Sequence, residues 1–511
     1  MTTGLSVFTV TVLVKILDAA KSILSVSRFG VTAQADVYNI IITIPELIIV
    51  VIGLDTIRGA ATTYFTEYVT KGEKEKLEGM FSSLLTWGIA VSVVIGVASV
   101  LLMPVIVHTI ASGFTGDKLS LTITLAYIII PVLVLRGVVG IIVSVFYAHN
   151  SFIRVTVMSA LTSVMVLATL IFSDLENLAR NVAIAYCVGF CIYVVLLVVL
   201  SRKYVRWKFT FRNVPPEFWD VLAFSGQLVL ATVIAQIAGF VETRTASFFP
   251  DGTVAALNYA NMPPSQFVFL VVVSLFGVMQ RQLAAKISEG KHEEAIRDYW
   301  QMLSYLLFTV IFCVAVFMVL RKPVLSVLYK RQSFGEAALE RTAAPLFMYA
   351  LWMVGQTVSL TTTTLLLAAK RSKIFVISSL FAYGFDVCMV GFFSRWFGYT
   401  GIALSSLLTI TFYSIFLLIG TRMVFGKGAL AGGRHIFRIF AVGLVTAVLM
   451  QFLFQKMFMN TEPVFGEALT QVAVVAGAGF LIYLALASVL KVNYANSLWL
   501  RIREQFAGAA R

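Results

Sequence analysis

Lys15, Asp18 and Lys21 stand in the middle of the first apolar stretch of the chain, residues 4–28. A charge at bilayer depth costs on the order of 2.5–3.5 kcal/mol, so such groups persist where they face water, protein or a ligand. Spacings of i, i+3 and i+6 put all three on one broad helix face, with the acid in reach of either lysine. A neutralised structural ion pair satisfies this pattern, and so does a site for an anion, because two cations face one carboxylate. Arg58, Arg136 and Arg244 are the other basic residues inside apolar segments, and Glu46, Asp55, Glu242 and Asp386 are the other acids considered. Intramembrane carboxylates are the usual carriers of a coupled ion or of balancing charge; Asp18 is the first choice. Asp55 and Arg58 lie one turn apart and are expected to pair. Glu46 is half a turn round a straight helix from Asp55, and Glu242 and Arg244 diverge by about 200°, so these need partners elsewhere. Asp386 is expected to be satisfied by a neighbouring helix.

These residues need elements that cross a membrane. The 511-residue chain is 59% hydrophobic and 13% charged, which excludes an ordinary soluble globular protein. Runs of about 20 apolar residues occur at 4–28, 35–66, 78–110, 120–148, 152–172, 181–200, 221–247, 254–286, 299–320, 343–368, 372–393, 399–424, 435–455 and 466–491. The expectation is an all-α polytopic membrane protein with 14 transmembrane helices. The first segment carries its charges centrally and lacks a basic n-region, so it is read as a retained helix and not a cleavable signal. Pro45, Pro131, Pro263, Pro264 and Pro345 lie within or at the start of these segments, where proline bends a helix and frees a carbonyl. Loops after even-numbered segments, with the C-terminal tail, hold more than twice as many Lys and Arg as the others. The positive-inside rule then puts both termini in the cytoplasm. The same topology accounts for the net charge of +14 without nucleic acid. Cys187, Cys191, Cys313 and Cys388 lie in apolar segments, and the four histidines are scattered; neither a disulfide framework, a metal site nor a cofactor is indicated.

An internal repeat organises the chain. "TKGEKEKLEGMFSSLL", "MPVIVHTIASGF" and "FYAHNSFI" reappear as "SEGKHEEAIRDYWQML", "KPVLSVLYKRQSF" and "LAAKRSKIF". Gly72 matches Gly290, Pro104 matches Pro323 and Phe114 matches Phe334, an offset of 218–220 residues. Six segments separate the copies, so the halves run parallel in the membrane, a standard transporter design with the substrate site between repeats. The expected domains are an N-lobe at 1–200, a basic cytoplasmic linker at 201–220, a C-lobe at 221–424 and, at 425–511, two further helices with a cytoplasmic tail: two parallel six-helix lobes (6+6) plus two. The composition of "SRKYVRWKFTFRNVPPEFW" suits either an interfacial stretch or an ordinary positive-inside linker.

"ADVYNIIITIPELI", "GFTGDKLSLTITLAYIIIP" and "NYANMPPSQFVFLVVVSLFGVMQRQLAAKISEGKHEE", with the 6+6+2 pattern, resemble the MurJ (MviN) family of the multidrug/oligosaccharidyl-lipid/polysaccharide (MOP) exporter superfamily. The resemblance implies a flippase that moves an undecaprenyl-pyrophosphate-linked glycan across the bacterial inner membrane. It also implies that the family's two first-helix arginines fall on Lys15 and Lys21, which keep the charge without the bidentate fork suited to pyrophosphate. The acid after the second arginine becomes Ser22, an arginine pair falls near Ile49 and Val50, and an Asp-Arg pair becomes Asn261 and Met262. Arg58 and Arg244 are the cations available to substitute.

Three functions are therefore carried forward. The first is a flippase for a peptidoglycan precursor (lipid II) or a related polysaccharide repeat unit. It works by alternating access, with Lys15, Lys21, Arg58, Arg136 and Arg244 around the pyrophosphate and Asp18, Glu46, Asp55, Glu242 and Asp386 balancing charge or coupling an ion. A glycan polymerase or other envelope-synthesis protein is a possible partner, beside membrane lipids. The second is a cation-coupled antiporter of drugs or organic cations, and the third a transport-inactive scaffold. An enzyme would need catalytic acids in sizeable outer loops, and the largest, near 321–342, is short.

Overall fold

A computed structural model describes residues 2–52, 54–211, 214–426, 433–458 and 465–490. These form α1 (Thr2–Phe29), α2 (Ala33–Ile52), α3 (Leu54–Lys71), α4 (Lys74–Ile110), α5 (Gly116–Ala148), α6 (Phe152–Phe172), α7 (Leu178–Ser201), α8 (Glu217–Ala246), α9 (Thr253–Val268), a π-helical turn (Phe269–Val273), α10 (Ser274–Ser288), α11 (His292–Val319), α12 (Arg321–Tyr329), α13 (Glu336–Ala368), α14 (Ser372–Phe397), α15 (Thr400–Phe425), α16 (Gly433–Phe458) and α17 (Phe465–Val489). No β-strand occurs among the described residues. Eleven of the helices, α2, α4–α7, α11 and α13–α17, are long and apolar enough to cross a membrane, so the chain passes through the bilayer many times. Helix α1 carries four charges, Lys15, Asp18, Lys21 and Arg28.

Sequence and structure differ at two segments. Segment 254–286 is interrupted by the π-helical turn. That turn lies a few residues after Pro263 and Pro264, where two prolines already remove intrahelical donors. The region expected as the largest outer loop contains the short helix α12.

The repeat is visible in backbone geometry. Gly72 (φ +73°) follows α3 and Gly290 (φ +77°) follows α10, both in the left-handed conformation that glycine adopts without strain. The next residue in each turn, Glu73 or Lys291, donates its N–H back to Tyr68 or Lys286 at 2.9 and 3.0 Å, the bond that closes a Schellman end. Asn150 (φ +53°) and Lys370 (φ +57°) occupy a second matched pair. There Ser151 bonds back to Phe146 at 2.8 Å and Arg371 to Leu366 at 2.9 Å.

The chain forms two compact units. One comprises Met1–Ala255 with Arg331–Phe334, the other Ala256–Lys330 with Gly335–Arg511. In the first, α5 is central, packed on α2, α3, α4 and α7, while α1 lies against α6 and α8 against α2, α3 and α4. Its core includes Phe65, Met80, Phe81, Phe146 and Leu197. Helices α6 and α7 approach closely at Gly189, where a Cβ would stand 3.0 Å from the Thr162 Cα, the small-residue contact that membrane helices use in place of hydrophobic drive. In the second unit, α13 packs on α10, α11, α12 and α15, α14 on α15, and α16 on α11 and α17.

Within the first unit, Asp36 near the start of α2 is 1% exposed. Its carboxylate accepts the Gly252 and Ala255 N–H groups at 2.7 and 2.8 Å and the Lys118 ammonium at 2.7 Å. Lys118 also reaches Asp251 at 2.7 Å and lies 3.8 Å above the Phe114 ring. The acid thus holds the start of α2, the start of α5 and the turn after α8 at one point.

Candidate functional site

The α1 charges form one cluster. Asp18 lies 3.7 Å from Lys15 through Oδ2 and 3.7 Å from Lys21 through Oδ1. Ser163, projecting from α6, donates to Asp18 Oδ1 at 2.6 Å and accepts from Lys21 Nζ at 3.1 Å. The helical i, i+3 relation brings each lysine to the acid, and the serine ties the group to a second helix. Side-chain exposure is 53% for Lys15, 35% for Asp18 and 29% for Lys21, so the cluster is accessible and carries one surplus positive charge. Ion pairs 3.7 Å long and partly exposed contribute little to stability. An ammonium carries three donors, so Lys15 and Lys21 can each engage an anionic ligand by exchanging partners.

Removing the serine hydroxyl therefore has a bounded effect. Ser163→Ala is expected to cost about 1 kcal/mol, seen as a small drop in thermal midpoint by fluorescence-detected size exclusion. A loss like that of a core truncation would contradict this placement.

A second pair lies elsewhere in the first unit: Arg136 on α5 donates to Glu46 on α2 at 3.1 Å. Arg58 on α3 has an exposed side chain, and its carbonyl accepts the Ser144 hydroxyl of α5 at 3.0 Å. On α8, Arg244 is exposed and Glu242 half-buried. The Asp55 side chain lies outside the described residues, and with it the expected Asp55–Arg58 pair. Asp386 on α14 is buried at 1% exposure and accepts a hydrogen bond from Ser405 of α15, a neighbouring-helix contact within the second unit. Lys15, Asp18 and Lys21 thus share one locus, and Glu46 and Arg136 share another.

Ser163 was not singled out from sequence, because a serine in an apolar helix carries no mark of a partner 145 residues away. The Asp36–Lys118–Asp251 node was missed for the same reason; Lys118 reads as one more loop cation. Among the described residues, no group of three or more His, Cys, Asp and Glu side chains is placed to hold a metal ion.

Comparison with known proteins adds to this geometry. The family model for the lipid II flippase MurJ matches residues 25–484, beginning after Lys21. Similar sequences include a probable lipid II flippase MurJ of Buchnera aphidicola, 24% identical over 465 residues, covering 89% of this chain and 90% of that protein. Another, from Thermotoga maritima, is 21% identical over 441 residues, covering 85% and 86%. Among solved structures, a lipid II flippase MurJ in an inward closed conformation superposes with a TM-score of 0.80 at 18% identity, over 96% of this chain and 99% of that one. An inward-facing multidrug resistance MATE transporter of the MOP superfamily gives 0.69 at 14% identity, over 81% and 94%.

Proposed function

The chain belongs to the lipid II flippase MurJ family, and from that premise we propose that it moves an undecaprenyl-pyrophosphate-linked glycan across the bacterial inner membrane. The observation that carries the reading at residue level is the accessible, net-positive Lys15–Asp18–Lys21 cluster in α1, tied to α6 by Ser163. Two ammonium groups beside a single carboxylate suit a polyanion such as pyrophosphate, and Asp18 limits the repulsion between them when no ligand is bound. Arg58, Arg136 and Arg244 are further cations for the substrate, although Arg136 is already engaged by Glu46. The glycan is a peptidoglycan precursor or a related repeat unit.

The transport cycle in this reading is alternating access, with 14 spans arranged as two parallel six-helix lobes plus two helices, and both termini cytoplasmic. The surplus of Lys and Arg in one set of loops supports the orientation, and the repeated helix ends at Gly72 and Gly290 support the parallel halves. The steps are binding, reorientation and release, with no covalent bond made or broken.

A second reading, an organic-cation antiporter, is favoured by the likeness to the MATE transporter. Proteoliposomes separate the two. With a fluorescent undecaprenyl-pyrophosphate-linked disaccharide in the bilayer, the protein is expected to speed exchange between leaflets, read as dithionite-accessible label, and to take up no ethidium. Ethidium uptake driven by a proton or sodium gradient, without lipid exchange, would reverse the assignment.

A further inference from the structure

After the turn that ends α7, residues 205–211 form an extended strap laid along α4. Three backbone N–H groups of the strap, those of Arg206, Lys208 and Thr210, donate to Glu78 Oε1 (3.2 Å), Ser82 Oγ (3.0 Å) and Thr86 Oγ1 (3.4 Å). The acceptors recur every four residues and so form one polar stripe on α4. The Trp207 indole adds a bond to Thr86 at 3.2 Å. Val205 is buried in the core, and Tyr204 packs on Phe146. The strap is therefore anchored to the protein by its backbone and by its first few side chains.

With the backbone engaged, Arg206, Trp207, Lys208 and Phe209 are all exposed, cations and aromatic rings alternating along the strap. Trp207 and Phe209 pack edge to face at 6.3 Å between centroids, Phe209 and Phe211 at 5.0 Å, and Phe211 and Trp87 of α4 at 5.2 Å. All four rings are exposed, Phe209 by 68%. Trp87 also marks a boundary on α4: from there Val91, Val94, Val97 and Leu101 present an exposed apolar face, as lipid contact demands, whereas the polar stripe lies before it. A row of exposed aromatic rings at the edge of a lipid-facing surface has the composition of a membrane–water interface. Arg202, Lys203, Arg206 and Lys208 are exposed on the strap and the turn before it, and no salt bridge joins them to an acid among the described residues.

We propose that segment 202–211 is a binding surface for anionic phospholipid headgroups, its aromatic row seated in the interface and its four cations pairing with lipid phosphates. Each surface cation contributes roughly a fivefold bias toward anionic lipid, diminished by salt. The proposal rests on the membrane-spanning character of α4 and is independent of the transported substrate.

Full-length protein in vesicles containing a fixed share of brominated phosphatidylglycerol or brominated phosphatidylcholine tests it, since bromine quenches indole at contact. The Trp207 signal is the difference between the wild type and Trp207→Phe. Quenching is expected to be about threefold greater with the anionic lipid, and equal for the two lipids in Arg202→Gln/Lys203→Gln/Arg206→Gln/Lys208→Gln. Retained quenching by phosphatidylcholine in that variant confirms a seated strap. Equal quenching in the wild type, or an undiminished preference in the variant, overturns the anionic pairing; no quenching by either lipid overturns the interfacial position and assigns the surface to water or protein.

Discussion

Asp36→Ala is expected to lower the stability of the protein by about 3 kcal/mol, a large loss for one residue. The carboxylate accepts three hydrogen bonds, two from backbone N–H groups and one from Lys118. Removing it strands the Gly252 and Ala255 donors in a site that is 1% exposed, and an unsatisfied buried donor bears its full desolvation cost. Lys118 retains Asp251 at 2.7 Å, which keeps the loss below that of a fully orphaned buried charge. A clear fall in thermal midpoint, measured on detergent-purified protein, checks this. Asp36→Ala/Lys118→Met is expected to recover part of the loss, because the ammonium is then gone too. A single variant that melts with the wild type would show that the node contributes nothing.

The second large effect belongs to the α1 cluster. Lys15→Ala/Lys21→Ala is expected to reduce leaflet exchange of a pyrophosphate-linked glycan by roughly thirtyfold, equivalent to about 2 kcal/mol. Charge-assisted hydrogen bonds to phosphate contribute about 1.5–3 kcal/mol each, and water reaching side chains exposed by 53% and 29% reduces the sum. Folding is expected to change little, since the pairs with Asp18 are long and accessible. Lys15→Arg/Lys21→Arg is the informative companion. It restores the planar fork that matches phosphate oxygens, so activity at or above the wild-type rate is expected. Loss in both double variants, with the fold intact, would mean that the positions matter for something other than anion binding.

What could be read from sequence follows the range of the interactions. The α1 cluster was legible because its members lie three residues apart on one helix, where geometry is fixed by the 3.6-residue period. The Asp386 contact to a neighbouring helix was legible in kind, since a buried carboxylate needs a donor. Its donor, Ser405, was not. Arg136 with Glu46, and Ser163 with Asp18, join residues far apart in the chain, and only packing of α5 on α2 and of α6 on α1 brings them together. Asp36 was not singled out, because its partners arrive from near 118 and near 252. The linker was legible as basic and amphipathic, but its extended path depends on the Glu78, Ser82 and Thr86 stripe of α4, acceptors that look incidental in an apolar sequence.

The direct test of the central claim is native mass spectrometry of the purified protein with undecaprenyl-pyrophosphate-linked glycans, comparing the wild type with Lys15→Ala/Lys21→Ala. Selective retention of the pyrophosphate lipids by the wild type, lost in the double variant while ordinary phospholipids are still retained, is the predicted result and ranks the glycans. Equal retention by both proteins, or none of any pyrophosphate lipid by the wild type, would contradict the assignment of α1 as the anion site.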